Sequence, residues 1–207
     1  VAVCKMLKII FLSLILSSYL VNAANILAIF PVSSLPNQKL FRVVTDALEA
    51  RGHELTVIST NPELGRGNST EIDLNFTYKL VDKALFSMNV KESQDEFESM
   101  AMWNEYEADI MEKQFESPQL QELLKNREQK FHAVLVDFNG LTPWLALAEH
   151  FRAPLIGIST TEISQELHSA HGNAANPIVN PDTRYLEVAT FSERYTAWKQ
   201  YLLYNFY

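Results

Sequence analysis

The sequence predicts a doubly wound α/β fold built on a parallel sheet. Short, uninterrupted apolar runs are typical of strands that are buried on both faces. Amphipathic stretches at helical spacing separate these runs, and strand and helix alternate along the chain. Crossovers in this order are right-handed and leave the strands parallel. The composition agrees, because 47% of the 207 residues are hydrophobic and 20% are charged, as in globular proteins.

The first half of the chain contains the clearest strand–helix–strand unit. Residues 26–30 form an apolar run, and residues 31–36, with two prolines and two serines, end it. A helix is predicted from Gln38, and it ends at Arg51-Gly52, where glycine suits a left-handed cap. The next strand is predicted at residues 55–58.

The remaining elements are predicted in the same way. They are a strand at 76–81, an acidic helix at 91–116, a helix at 118–127 with Pro118 in its first turn, a strand at 133–137, a helix at 142–150 and a strand at 155–159.

The first 23 residues are predicted to be a secretory signal peptide. Lys5 and Lys8 precede an apolar run, and the small residues at 21–23 suit signal peptidase. The run is short for a membrane span, which needs about 20 residues, and an uncleaved anchor is the alternative. Met6 is the expected start, with residues 1–5 upstream of it. Residues 25–207 are predicted to be one domain.

Two sequons agree with a secretory route. Asn68-Ser69-Thr70 and Asn75-Phe76-Thr77 both fit the acceptor pattern for N-glycosylation, with no proline between. The alternative is an ordinary polar loop.

Charge and composition exclude several classes of protein. The formal charge of −8 argues against nucleic-acid binding, which needs a basic face. One cysteine, Cys4, cannot form an internal disulfide or a cysteine cluster.

No motif indicates a nucleotide cofactor or a metal. Gly65-Arg66-Gly67 precedes no clear helix and predicts a plain loop rather than a dinucleotide site. His168 and His171 are the only suggestion of a metal pair, and no carboxylate or cysteine completes it. No metal and no cofactor are predicted.

Ligands of doubly wound sheets bind beyond the carboxyl ends of the strands. Three predicted segments lie there, at residues 32–37, 137–140 and 159–162. Their candidate substrate contacts are Ser33, Ser34, Asn139 and Thr160.

Five segments resemble the amino-terminal half of a UDP-glycosyltransferase, most closely the membrane-bound UDP-glucuronosyltransferase type in its insect form. They are NILAIFP at 25–31, LEARGHELTVI at 48–58, APLIGIS at 153–159, HGNAANP at 171–177 and FSER at 191–194. Each is loose, and their shared order along the chain carries the resemblance.

The resemblance implies one half of a glycosyltransferase built from two Rossmann-like domains. The amino-terminal half would hold a small lipophilic acceptor. The carboxyl-terminal half, with a membrane span after it, would hold most of the UDP-sugar. The chain is expected to stop before that half, and alone it is expected to be inactive. The implied location is the lumen of the endoplasmic reticulum, anchored to the membrane in the full-length protein. Homo- or heterodimerisation stays open.

The resemblance also implies an inverting displacement of UDP by an acceptor hydroxyl. A histidine after the first strand acts as base in the family, and an aspartate at the end of a later strand orients it. Asp137 stands at the aspartate position. The histidine position lies sixteen residues before His53 and holds Asn37. An asparagine amide cannot accept a proton near neutral pH.

Three functions stay open from the sequence. The first is an enzyme in which Asp137 itself is the base, or in which the acceptor is an amine. The second is a catalytically silent relative that binds lipophiles or modulates active partners. The third is a secreted carrier made of this domain alone.

Overall fold

The computed structural model describes residues 23–65, 67, 69–91, 96–126, 128–138, 142–161, 163, 167–168, 172–173 and 190–206. The predicted signal peptide, apart from Ala23, and the candidate residues Asn68 and Asn139 lie outside this part of the chain. The chain divides into two compact units, Val1–Ile158 and Ser159–Tyr207.

The first unit contains a parallel sheet, as predicted. Its described strands are β1 (Asn25–Phe30), β2 (Glu54–Ser59), β3 (Thr70–Asp73), β4 (Ala133–Asp137) and β5 (Leu155–Ile158). They lie in the order β3-β2-β1-β4-β5, and each neighbouring pair is parallel. The sequence-based fold class is therefore confirmed.

Helices connect these strands and cover the sheet. Those of the first unit are α1 (Leu35–Glu49), α2 (Thr77–Lys91), α3 (Glu96–Phe115), α4 (Pro118–Lys125) and α5 (Ala146–His150), with a 3-10 turn at Thr142–Leu145 before α5. In the second unit, α6 spans Phe191–Phe206. No helix in the described ranges is long and apolar enough to cross a bilayer.

Side-chain alternation along β1 gives the sheet two apolar faces. On one face, Ala28 and Phe30 pack with Phe41 of α1, and the rings of Phe30 and Phe41 stack with centroids 4.4 Å apart. On the other face, Leu27 and Ile29 pack with residues of β4, α4 and α5. The core is thus a helix–sheet–helix sandwich centred on β1.

The predicted start of α1 was wrong by three residues. The helix begins at Leu35, and Pro36 lies in its first turn instead of ending the preceding loop. Proline is tolerated there because the first amide groups of a helix have no intrahelical partner. Asn37 is therefore a helical residue.

The predicted third strand at 76–81 was also wrong. Residues from Thr77 onward form α2, and the third strand is Thr70–Asp73, immediately before it. The alternating Phe76, Tyr78 and Leu80 suggest a strand, but α2 buries Thr77 and Ala84, two turns apart. The packing of the helix overrides the local pattern.

Smaller differences concern element ends. The predicted helix at 91–116 begins at Glu96, the helix at 118–127 ends at Lys125, and the first turn of the helix at 142–150 is a 3-10 turn. The last strand ends one residue early, at Ile158.

Gly52 has the left-handed conformation that the sequence predicts, with φ of +86°. It follows α1, where its N–H donates to Glu49 O at 2.8 Å and the N–H of His53 donates to Leu48 O at 3.2 Å. An added β-carbon would meet nothing within 4 Å, so its penalty is purely conformational.

We therefore expect Gly52→Val to lower the free energy of unfolding by about 1 kcal/mol or more, because a β-branched residue fits positive φ poorly. Gly52→Asn should cost less, since asparagine tolerates this region. Chemical denaturation of the full chain measures both changes. Equal midpoints for the valine and asparagine variants would contradict this explanation.

Candidate functional site

The topology brings the carboxyl ends of β1 and β4 together. The chain leaves β1 towards β2 on one side, and β4 pairs with β1 on the other. A doubly wound sheet binds ligands in the crevice at such a reversal of strand order. Ile29 pairs with Val136, so the next residues along each strand, Phe30 and Asp137, reach the same edge.

Asp137 is buried at this edge, with 1% of its surface exposed. Alternation along β4 places it on the same side of the sheet as Leu135, which packs in the cluster with Phe41 of α1. Asp137 therefore lies on the sheet face that α1 covers, and α1 carries Asn37 in its first turn. The structure thus places the two predicted catalytic positions at one edge and on one face of the sheet.

Asn37 is half-buried at the amino-terminal end of α1. The macrodipole of a 15-residue helix gives this end a partial positive charge. An uncharged amide suits that environment. It can position a hydroxyl or amine by hydrogen bonding, but it cannot remove a proton from either.

Two buried glutamines fix the segment that follows β1. Gln38 Nε2 donates to Phe30 O at 2.8 Å and to Val32 O at 2.9 Å. Gln114 of α3 donates from Nε2 to Pro31 O at 2.9 Å. The two amides therefore donate to three successive carbonyl groups, from the last residue of β1 to Val32.

The end of β2 holds the same segment from its other side. Ser59 Oγ donates to Gln38 Oε1 at 2.8 Å, and Thr60 Oγ1 donates to Val32 O at 3.1 Å. The side chains of Gln38, Gln114, Ser59 and Thr60 are all buried, so water has little access to these hydrogen bonds. These bonds thus hold the carbonyl groups of residues 30–32 in place, and residues 31–33 form a wall of the crevice.

The predicted substrate contacts have different environments. Ser33 Oγ is buried and has no hydrogen-bond partner among the described residues, so it could donate to a ligand. Ser34 is the N-cap residue of α1, yet its side chain makes no capping bond. Thr160 belongs to the second unit, and its hydroxyl is likewise without a partner in the described ranges.

Phe138 follows Asp137 and lies against Gly157 of β5. A β-carbon at Gly157 would overlap the Phe138 ring. The N–H of Phe138 donates to Ile158 O at 2.8 Å, which continues the pairing of β4 with β5 beyond Asp137. The missing side chain at Gly157 therefore leaves room for the aromatic ring beside the crevice.

A further cleft of about 520 Å³ lies beside α1, and Gln38 also belongs to its lining. Its lining includes α1 residues, the loop after β2 and the segment after β3, and it includes Asn75 but neither Asn37 nor Asp137. The sequon residue Asn75 therefore lines a cleft that neither predicted catalytic position lines.

A partly buried ion pair supports this cleft. Arg42 Nη1 and Nη2 lie 2.5 and 3.2 Å from the two carboxylate oxygens of Glu71, and Nη2 also donates to Asn61 O at 3.2 Å. Burial on its own lowers the pKa of Arg42. The hydrogen bond and charge of Glu71, with the charges of Glu63 and Asp46, outweigh it and raise that pKa overall. Arg42 is thus a permanent cation, fixed to β3.

Sequence reasoning missed Gln38 and Gln114 as determinants of the site. Gln38 could have been found, because a polar residue stood at a core-facing position just after the predicted loop. Gln114 gave no such signal, since its partner Pro31 is 83 residues away in the chain. Within the part of the chain that the structure describes, no three His, Cys, Asp or Glu residues lie together as metal ligands.

Comparison with known proteins supplies one relative. No protein-family model and no solved structure matches the chain. UDP-glucosyltransferase 2 of Dactylopius coccus is 26% identical to it over 195 residues, which cover 90% of this chain and 37% of the relative. The chain therefore spans little more than a third of that relative's length. This extent is consistent with the amino-terminal half of a UDP-glycosyltransferase, and the resemblance deduced from the sequence is confirmed.

Proposed function

We propose that this chain, a relative of the UDP-glycosyltransferases, is the acceptor-binding half of such an enzyme. The whole protein would transfer a hexose or glucuronic acid from a UDP-sugar to a small lipophilic acceptor, with inversion at the anomeric carbon. The similarity to UDP-glucosyltransferase 2 along 90% of the chain carries this proposal. The crevice between the ends of β1 and β4 gives the acceptor a place to bind.

The acceptor would lie against the wall formed by residues 31–33. Ser33 Oγ would donate a hydrogen bond to it, because this buried hydroxyl finds no partner in the described residues. The stacked Phe30 and Phe41 rings make the sheet face beneath this edge apolar. A lipophilic molecule with one polar group fits such a crevice.

The reacting atom of the acceptor would form a bond to the anomeric carbon while the bond from that carbon to UDP breaks. A hydroxyl must lose its proton in this step, and Asn37 cannot take it. Among the described residues of this edge, Asp137 is the remaining candidate base. An amine needs no base before attack, because its lone pair is already available, and it can release its proton afterwards. We therefore propose that amine acceptors are preferred.

The second substrate, the UDP-sugar, would bind to a part of the protein outside this chain. The UDP-sugar would bind mainly to a carboxyl-terminal half, and a membrane span would follow it. We place the protein in the lumen of the endoplasmic reticulum, because the apolar leader and both sequons favour that route.

Asn37 also favours a second function, that of a catalytically silent relative. Such a protein would keep the crevice and bind lipophiles, or pair with an active partner, without turnover. The absence of an imidazole at this position is the observation that supports it.

The test uses the complete protein, expressed in eukaryotic cells from the full transcript. UDP-glucose and UDP-glucuronate are each supplied with a phenol and with an aryl amine of the same size. We expect a higher rate of transfer to the amine than to the phenol. NMR spectra of the product should show an inverted anomeric configuration. Lipophile binding with no transfer to either acceptor would favour the silent relative.

A further inference from the structure

We propose that the cleft beside α1 holds the first sugars of an N-linked glycan on Asn75. The proposal rests on the secretory route proposed above and goes beyond the glycosyl-transfer function. Asn75 lines the cleft and is exposed, and it begins the sequon Asn75-Phe76-Thr77.

Two hydrogen bonds hold Asn75 in the lining of this cleft. Its Nδ2 donates to Thr60 O at 3.1 Å, and its backbone N–H donates to Asp73 Oδ1 at 2.7 Å. Nδ2 has two hydrogens, and Thr60 O accepts one of them. The second position is where a sugar would be attached, so the existing hydrogen bond can remain in the glycoprotein.

The covalent step is a group transfer with a lipid-diphosphate oligosaccharide as donor. The Asn75 Nδ2 atom loses one proton and forms a bond to the anomeric carbon of the first sugar. The bond from that carbon to the diphosphate breaks, the lipid diphosphate leaves with the electron pair, and the proton released from Nδ2 passes to solvent. No oxidant or reductant is needed.

The chemistry of the lining suits a neutral, polyhydroxylated ligand. The carboxylates of Asp46, Glu63 and Asp73 outnumber the cations of Lys39 and Arg42 in the lining. An anion such as a UDP-sugar is therefore disfavoured, whereas sugar hydroxyls donate to carboxylates. The cleft volume of about 520 Å³ lies within the usual range for small-molecule sites.

Covalent attachment removes the need for high affinity. A ligand tethered at the rim of its site reaches an effective concentration in the millimolar range or above. Weak hydrogen bonds and contact with the exposed side chain of Val43 are then enough to keep the first sugar in the cleft.

The burial of Thr77 indicates whether glycan transfer to Asn75 comes before or after folding. Its side chain is 1% exposed, and Thr77 Oγ1 accepts a hydrogen bond from Gln114 Nε2 at 3.1 Å. The threonine of the sequon is therefore hidden once α2 has packed, although Asn75 itself stays exposed. We expect the transfer to Asn75 to precede folding of this segment.

The experiment uses the full chain with Asn68→Gln, secreted from eukaryotic cells, so that every glycan comes from Asn75. An endoglycosidase trims this glycan to one sugar, and a second sample has Asn75→Gln as well. We expect the one-sugar form to melt about 2–4 °C above the sugar-free form, as stabilisation of about 1 kcal/mol gives in a chain of this size. Contacts between the N-acetyl methyl group and the Val43 methyl groups should appear in NMR spectra.

Two tryptophan variants give the matched control. Val43→Trp would fill the cleft and should abolish the difference in Tm between the one-sugar and sugar-free forms. Leu40 is similarly exposed on the same helix but does not line the cleft, so Leu40→Trp should leave the difference unchanged. A difference that survives Val43→Trp would overturn the proposal, as would a product without sugar on Asn75. Neither result bears on glycosyl transfer, which the acceptor assay measures separately.

Discussion

Asn37→His in the complete protein is expected to raise transfer to phenols and alcohols by about 10²–10⁴-fold, the usual value of a well-placed general base. The substitution puts an imidazole in the first turn of α1, at the edge where Asp137 ends β4. Asp137 lies on the sheet face that α1 covers, so it can orient the new ring and stabilise its protonated form.

The position itself favours the neutral imidazole that a base must be. The amino-terminal end of a helix disfavours a cation and lowers the pKa of a histidine placed there. Initial rates with matched phenol and aryl-amine acceptors measure the gain. Amines should gain less, because their lone pair attacks without prior loss of a proton.

Two further variants separate base catalysis from a change in packing. Asp137→Asn on the Asn37→His background should remove most of the gain, because the ring loses its orienting carboxylate. Asn37→Gln, which adds one methylene group but no base, should give no gain. If Asn37→His leaves phenol transfer unchanged while the protein folds and binds UDP-sugar, the silent relative becomes the better description.

Gln38→Ala is expected to lower the free energy of unfolding by about 2–5 kcal/mol. The variant removes the donor to Phe30 O and the acceptor of the Ser59 O–H, while Ser59 Oγ still accepts from the N–H of Asn61 at 2.9 Å. An unsatisfied buried polar group costs about 1–3 kcal/mol. Val32 O keeps its bond from Thr60 Oγ1. Chemical denaturation of the full chain measures the loss.

Gln121→Ala is the matched control. Gln121 also donates from Nε2 to a backbone carbonyl, Phe115 O at 2.8 Å, but it is only partly buried. Water can replace that bond, so the loss should stay below about 1 kcal/mol. Equal losses for the two variants would show that the bonds around residues 31–33 contribute nothing special to stability.

The sequence predicted β1, β2, β4 and β5 because each is a compact apolar run. It missed β3, whose four residues Thr-Glu-Ile-Asp bury only Ile72 fully. Glu71 can pair within the sheet because Arg42 neutralises it from a helix 29 residues earlier in the chain. That contact has no local signature, so no periodicity could indicate it.

The residues of the candidate site also differ in whether a local sequence pattern indicates them. The position of Asp137 could be predicted, since it ends an apolar strand and parallel strands place their carboxyl ends at one edge, whereas its orienting role stays a prediction from the resemblance. Asn37 could be placed by resemblance, but its helical position depended on Pro36 being in the first turn of α1. The roles of Gln38 and Gln114 follow from tertiary hydrogen bonds, which the spacing of residues in the sequence does not encode.

The central position of β1 has a consequence for the time course of synthesis. Leu27 of β1 pairs with Val134 of β4, which the ribosome adds 107 residues later. At about 5–20 residues per second, β1 waits roughly 5–20 s for this neighbour. Throughout that interval one edge of an apolar strand is unpaired and can recruit other nascent chains. We therefore expect chaperone protection during translation, before Val134 emerges, to raise the fraction of chains that reach the folded state.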